Sequence, residues 1–192
     1  MFTKKIFTLF TMFLFILSGG IAYAHGKNRD AAAFFFQKKA AVDMTQIIER
    51  VEKEENGRVV FFKIEEEEDN PIQYEMKILK DGKIFETKVD PESGKVLKTK
   101  SEGLFSNVFG DREKAPSNTK FSLKDAVSIV EKRYEGKALK GAFQEKSGVK
   151  LFRLKVANNE GAFTVMVDAN TGEVFRVTSG NGREHDDEEH ND

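Results

Sequence analysis

Two aspartates of this 192-residue chain stand in the same small setting, VDPESGKVLK from Val89 and VDANTGEVFR from Val167. A carboxylate that recurs in context could be a general base, a metal ligand or part of a turn. Acid–base or metal chemistry needs a partner held close by, a second carboxylate or an imidazole. Neither setting supplies one, and the three histidines, His25, His185 and His190, lie near the two ends of the chain. The turn accounts for the whole unit. Asp90 or Asp168 closes a strand and can accept the N–H groups of the residues that follow. Gly94 or Gly172 can take the positive φ of the turn's exit. The charge that comes next changes sign between the copies, Lys95 against Glu173, as a solvated position allows. Asp90, Gly94, Asp168 and Gly172 are therefore expected to be structural turn residues.

The other chemically suggestive stretch is the C-terminal NGREHDDEEHND. His185, Asp186, Asp187, Glu188, Glu189 and His190 combine imidazole with carboxylates, a donor set that suits zinc, copper or nickel, weakly in a pliant segment. The competing reading is a solubilising acidic tail. Nothing in it can form a core, so disorder is expected. His25 could chelate copper with its own amine if it became the first residue. A copper enzyme built that way needs a second, rigidly opposed histidine, and neither repeat described below has one.

The chain has no cysteine, which excludes disulfides, thiolate metal sites, cysteine nucleophiles and a lipid-modified cysteine. There is no H-E-x-x-H, G-x-S-x-G or Walker-type loop. The formal net charge is −1, with basic and acidic residues interleaved, so nothing marks a nucleic-acid surface. No enzymatic activity and no cofactor are expected.

The elements that must position these residues come in duplicate. MTQIIERVEKEENGRVV from Met44 aligns with LKDAVSIVEKRYEGKAL from Leu123, and YEMKILKDGKIFETKVD from Tyr74 with FRLKVANNEGAFTVMVD from Phe152. Each copy opens with a helix. Asp43 with Gln46, and Ser122 with Asp125, have capping-box spacing, and Val42 with Ile47 that of a hydrophobic staple. Ile47, Ile48 and Val51 form one apolar face, Leu123, Ala126, Val127 and Val130 the other. Gly57 and Gly136 are expected to supply the left-handed helix stop. Strands follow, with period-two alternation at Tyr74, Met76 and Ile78, at Phe85, Thr87 and Val89, at Phe152, Leu154 and Val156, and at Phe163, Val165 and Val167. Asp81-Gly82 and Glu160-Gly161 are read as their hairpin turns. The fold class is α+β: two tandem small modules, each one helix packed on a short antiparallel sheet.

These residues resemble a known family. The helix and the strands ending in VDANTGEVF and VDPESGKVL are similar to PepSY domains of secreted peptidase propeptides and small exported bacterial proteins. VDANTGEV follows the family's V-D-x-x-T-G-x-V pattern, whereas the first copy has Pro91 and Ser93 where alanine and threonine are usual. The resemblance implies a cystatin-like fold, one helix held against a curved antiparallel sheet. It further implies a non-catalytic protein that binds and restrains a peptidase or acts in regulation at the cell envelope.

The remaining organisation reads as follows. Residues 1–24 form a secretory signal peptide: Lys4 and Lys5, an apolar run, then Ala22-Tyr23-Ala24 as the cleavage pattern. Residues 25–42 are an N-terminal arm that carries Phe34, Phe35 and Phe36, packed on a module or left as a patch for a partner. The first module spans 43–100, a linker 101–119, the second module 120–179 and the tail 180–192. The acidic run Glu65–Pro71 is read as a hairpin tip. The expected location is the periplasm, with secretion as the alternative. The expected partner is an envelope or secreted protein, a peptidase or a sensor domain, with no nucleic acid and no membrane span after cleavage. The alternative function is a cation binder acting through the tail.

Overall fold

The computed structural model describes residues 42–65, 72–104 and 119–179. The element order α-β-β-β-β occurs twice: α1 (Met44–Glu55), β1 (Arg58–Glu65), β2 (Gln73–Lys80), β3 (Lys83–Val89) and β4 (Val96–Leu104), then α2 (Leu123–Tyr134), β5 (Lys137–Lys146), β6 (Val149–Asn158), β7 (Gly161–Asp168) and β8 (Val174–Ser179). The signal-like segment, the arm with Phe34–Phe36, residues 66–71, residues 105–118 and the histidine-containing tail lie outside the described residues. Strand β4 runs on to Leu104, with Gly103 paired to Ile84, so the sheet claims the first residues that the sequence reading gave to the linker.

The helices begin and end by identifiable devices. Ser122 and Asp125 close a full capping box on α2, each side chain bonding the other's backbone N–H. On α1 Asp43 accepts from Thr45 N–H at 3.4 Å, rather than from the third-position N–H that a box with Gln46 would use. The left-handed stops fall one residue earlier than expected: Asn56 has φ 50° and Glu135 φ 49°. The glycines that follow have a different cause. A Cβ on Gly57 would stand 2.5 Å from Ile78 Cγ2, and one on Gly136 would stand 2.7 Å from the Ala157 carbonyl oxygen. Close approach of the helix exit to the neighbouring strand excludes any side chain there.

Neighbouring strands within each repeat pair as antiparallel hairpins. Asp81 and Gly82 both have positive φ, as do Ser147 and Gly148, which is the type I′ geometry that matches strand twist. The second connection was not anticipated, nor was the β5 strand that leads into it. The β6–β7 turn is Asn159-Glu160, with Gly161 already paired to Asn158, and the Asn158 side chain accepts Glu160 N–H at 2.9 Å.

The expected pair of separate sheets is one eight-stranded antiparallel sheet in the order β4-β3-β2-β1-β5-β6-β7-β8. The first strands of the two repeats pair with each other, Phe61 with Ala142, Phe62 with Gly141 and Lys63 with Lys140. Phe62 and Gly141 hold the same place in their repeats, so a pseudo-two-fold axis passes between them. Both strands carry the same bulge, between Val59 and Phe61 and between Ala138 and Lys140. The axis is broken at its centre for a steric reason. A Cβ on Gly141 would lie 2.5 Å from Phe62 Cε1 and 2.9 Å from Leu154 Cδ2, so one repeat supplies a ring and the other the space for it.

Both helices pack on one face of this sheet and touch each other. Met44, Ile47, Ile48 and Val51 from α1 and Leu123, Ala126, Val127 and Val130 from α2 join Phe62, Tyr74, Met76, Ile78, Phe143, Phe152, Leu154 and Val165 in one continuous core. Each repeat alone would be a unit of marginal size; sharing the sheet and core removes the need for either to be stable by itself. The basic residue that starts the first strand of each repeat reaches the helix entry of the other. Lys137 Nζ lies 3.3 Å from Asp43 Oδ2, and Arg58 Nη2 donates to the Phe121 carbonyl at 2.8 Å and to Thr119 Oγ1 at 2.6 Å.

Candidate binding surface

The two aspartate turns are built alike. Asp90 Oδ1 accepts from Glu92 N–H at 3.1 Å, Ser93 N–H at 2.7 Å and Ser93 Oγ at 2.7 Å. Asp168 Oδ1 accepts from Asn170 N–H at 2.7 Å and Thr171 N–H at 2.9 Å. The Ser93 hydroxyl and then the backbone donors hold the Asp90 carboxyl below its ordinary range; for Asp168 the Asn170 and Thr171 N–H groups do so. Gly94 and Gly172 close the turns at φ 66° and 74°, donating to the Asp90 and Asp168 carbonyls at 2.8 and 2.9 Å. A Cβ on Gly94 would meet Arg50 Nη1 at 3.0 Å, and one on Gly172 the Phe121 ring at 2.8 Å, so each turn rests on its own helix or helix entry. The pseudo-two-fold axis sends the turns to opposite ends of the sheet. The structure therefore does not bring Asp90 and Asp168 together.

A second carboxylate pair was missed. Glu52 Oε1 accepts Val59 N–H at 3.0 Å, and Glu131 Oε1 accepts Ala138 N–H at 2.9 Å. Each helix thus satisfies the N–H at the bulged start of the strand that follows it. Burial raises both carboxyls above the ordinary glutamate value, opposed by those N–H groups and by Arg58 beside Glu52 and Lys137 beside Glu131. The signal was present, since Val-Glu-Lys is among the few identical triplets shared by the two copies.

With both helices on one face, no element among the described residues covers the opposite face, and the two repeats furnish it differently. In the first, alternation points Lys63, Glu65, Glu75, Lys77, Glu86, Lys88, Lys100 and Glu102 outward, and they interlock. Glu75 lies 3.0 Å from Lys63 and 3.2 Å from Lys88, Glu86 3.1 Å from Lys100, and Glu102 2.8 Å from Lys77. Glu65 also pairs with Lys88. Burial weakens the charge on Lys63 and Lys88, but Glu75 and Glu65 outweigh it and raise both ammonium groups. In the second repeat Glu65, Glu75 and Glu86 are replaced at the matching positions by Gln144, Arg153 and Thr164. The register lines up Thr178, Thr164, Lys155 and Lys140 across β8 to β5, ending against Lys63 of β1. Arg153 and Met166 form the next row.

The sheet ends in two open edges. Strand β4 exposes Leu97 and Leu104 and β8 exposes Phe175, each about half accessible. Among the described residues nothing pairs with the outer side of either strand. Strand β4 carries Lys98 and Lys100, side chains that discourage edge pairing; β8 has no lysine. Among the described residues no group of three histidine, cysteine or acidic side chains could hold a metal ion, and no helix is long and apolar enough to cross a membrane. His185, Asp186, Asp187, Glu188, Glu189 and His190 fall outside those residues.

Curated protein sequences give no match. Among solved structures, a candidate lipoprotein of Clostridium difficile 630 is similar at 18 % identity and TM-score 0.45, covering 76 % of this chain and 97 % of its own. The C-terminal domain of YpeB from Bacillus megaterium is similar at 12 % identity and TM-score 0.28, covering 72 % of this chain and 66 % of its own. The PepSY model, described as peptidase propeptide and YPEB domain, matches residues 41–100 and again residues 120–178. Those stretches contain both α-β-β-β-β units except the ends of β4 and β8, and both aspartate turns, and together they make up more than half of the chain: it belongs to the PepSY family, in tandem.

Proposed function

We propose that this chain is an exported, non-catalytic binding and regulatory protein that restrains a peptidase or modulates a sensor domain of the cell envelope. The observation that carries the reading is the double PepSY match, to a family described by peptidase propeptides. Each matched unit acts as one half of a single binding body, with its helix on the closed face. The carboxylates with shifted protonation support it from the chemical side: Asp90 and Asp168 are spent on their own turns, Glu52 and Glu131 on strand N–H groups. Export rests on the leader-like residues 1–24 and places the protein in the periplasm or outside the cell.

Binding would use strand addition at β8, where Phe175 offers an apolar anchor beside free backbone groups. The test is in-cell cross-linking of the mature chain from His25, followed by an inhibition assay on any captured peptidase. A peptidase or sensor ectodomain captured by the wild type, and lost with Phe175→Asp, is the expected result. Capture that is unaffected by Phe175→Asp would move the contact away from β8. No specific partner at all, with a chain lacking residues 183–192 losing zinc or copper binding, would replace this reading by the cation binder.

A further inference from the structure

The open face of the second repeat is a cationic strip without a counterpart in the first. Lys140, Arg153 and Lys155 project from adjacent strands, and the row ends across the seam at Lys63, which Glu75 and Glu65 already pair. The positions that hold Glu65, Glu75 and Glu86 in the first repeat hold Gln144, Arg153 and Thr164 here. Arg153 and Lys155 are not bare, since each already interacts within the chain; it is the summed charge of the strip that differs. A strip of like charge on one face draws in a polyanion.

We propose that residues 184–189 of this same chain lie across that strip and cover it. Strand β8 ends at Ser179 on the row of Thr178, Thr164, Lys155 and Lys140, and the chain that leaves it carries Glu184, Asp186, Asp187, Glu188 and Glu189 within a few residues. Strands are about 4.8 Å apart, so Lys155 lies about 10 Å and Lys140 about 14 Å inward from β8. An extended residue covers about 3.3 Å, which lets Asp186 reach on the order of 20 Å. The tail is thus an intramolecular counter-ion for the repeat that has lost its own acids. The inference stands whether or not the partner is a peptidase.

The experiment is zero-length carbodiimide coupling of the mature chain at low ionic strength, with peptide mapping of the monomer. Amide links from Lys140 or Lys155 to residues 184–189 are expected, falling several-fold in about 0.5 M salt. A second measurement uses the full chain with a neutral tail (E184Q, D186N, D187N, E188Q, E189Q) and a synthetic peptide of residues 180–192. The peptide should bind this variant about 10-fold or more tighter than it binds the wild type, whose tethered tail competes at high effective concentration. Adding Lys140→Gln, Arg153→Gln and Lys155→Gln should abolish that binding; if the triple change unfolds the chain, the exposed Lys140→Gln alone should weaken it several-fold. Links that map to Lys83 or Lys98, links from residues 66–69 instead of the tail, equal peptide binding to both chains, or no binding to either would each overturn the proposal.

Discussion

The first repeat sets glutamates against the lysines of its open face, and the second has Gln144, Arg153 and Thr164 where three of those glutamates stand. Both repeats spend the same residue types on the same architecture: a capped helix, a bulged first strand, a glutamate on the strand's N–H, an aspartate turn. Where architecture makes no demand they diverge. Lys63, Lys77, Lys88 and Lys100 are tied to Glu65, Glu75, Glu86 and Glu102, while those acids have no equivalents on β5 to β7. Duplication preserved what the fold needs and left the outward positions free to specialise, so the asymmetric face, rather than the duplicated turns, is where the two copies do different things.

The seam is where the comparison breaks most easily. Phe62 is fully buried opposite Gly141. Phe62→Ala should cost about 3–5 kcal/mol in denaturant unfolding, and Gly141→Ala about 1–3 kcal/mol through overpacking. Combining Gly141→Ala with Phe62→Leu should cost clearly less than the sum, because the smaller side chain vacates the space that the new methyl needs. Additive losses would mean that the two positions do not face each other.

The strand-capping glutamates come next. Glu52→Ala and Glu131→Ala each orphan a backbone N–H and should cost about 1–3 kcal/mol. Glu52→Gln and Glu131→Gln keep an acceptor and should cost less than half as much. The Glu131 change should be the larger of the two, since it also removes one of the two carboxylates 3.3 Å from Lys137 and leaves that ammonium with Asp43 alone.

The pH profile separates the two kinds of carboxylate. Glu52 and Glu131 have folded values raised above 4.5, so the folded state holds the proton more tightly and stability falls as pH rises from 4.5 through the folded values. Asp90 and Asp168 have folded values lowered below 3.8; their contribution is present above 3.8 and is lost as pH falls through the folded values. Glu→Gln variants should flatten the first slope and Asp→Asn variants the second, as read from melting temperatures in buffers of matched ionic strength.

Within the turns, Asp90→Ala and Asp168→Ala should each cost about 1 kcal/mol. Gly172→Ala should cost more than Gly94→Ala, because the rigid Phe121 ring stands 2.8 Å from the new methyl whereas Gly94 meets a flexible guanidinium at 3.0 Å. The smallest effect belongs to the open face. Lys100→Gln removes the half-exposed partner of Glu86 and should change stability by about 1 kcal/mol or less in denaturant unfolding.

Much of this was legible in the sequence. The helix faces of Ile47, Ile48 and Val51 and of Leu123, Ala126, Val127 and Val130 followed from period 3.6, and all seven are buried. Periodicity reports which residues are covered, not by what, and so it could not say that β1 and β5 share a ladder. The glycine stops were misread because Gly57 follows a helix, where a left-handed residue is common; the reason for it lies across space at Ile78. Strand β5 was missed because Ala138, Gly141 and Ala142 are small, and at Gly141 the seam leaves no room for a side chain. The ionic face was invisible for a different reason: Lys and Glu alternate in any solvated strand, and only the register shows that Glu75 falls between two lysines.

The seam has one more consequence, for the order in which the molecule assembles. Among the described strands, every neighbouring pair but one joins consecutive segments and can zip locally from its turn. The exception is β1 with β5, which must find each other across the whole of the first repeat and the segment after it. Closing that loop carries an entropic cost before any contact repays it. The two hairpin arrays should therefore form early and the seam late, as a slow refolding phase that Phe62→Leu alters and Asp81→Ala in a peripheral turn does not.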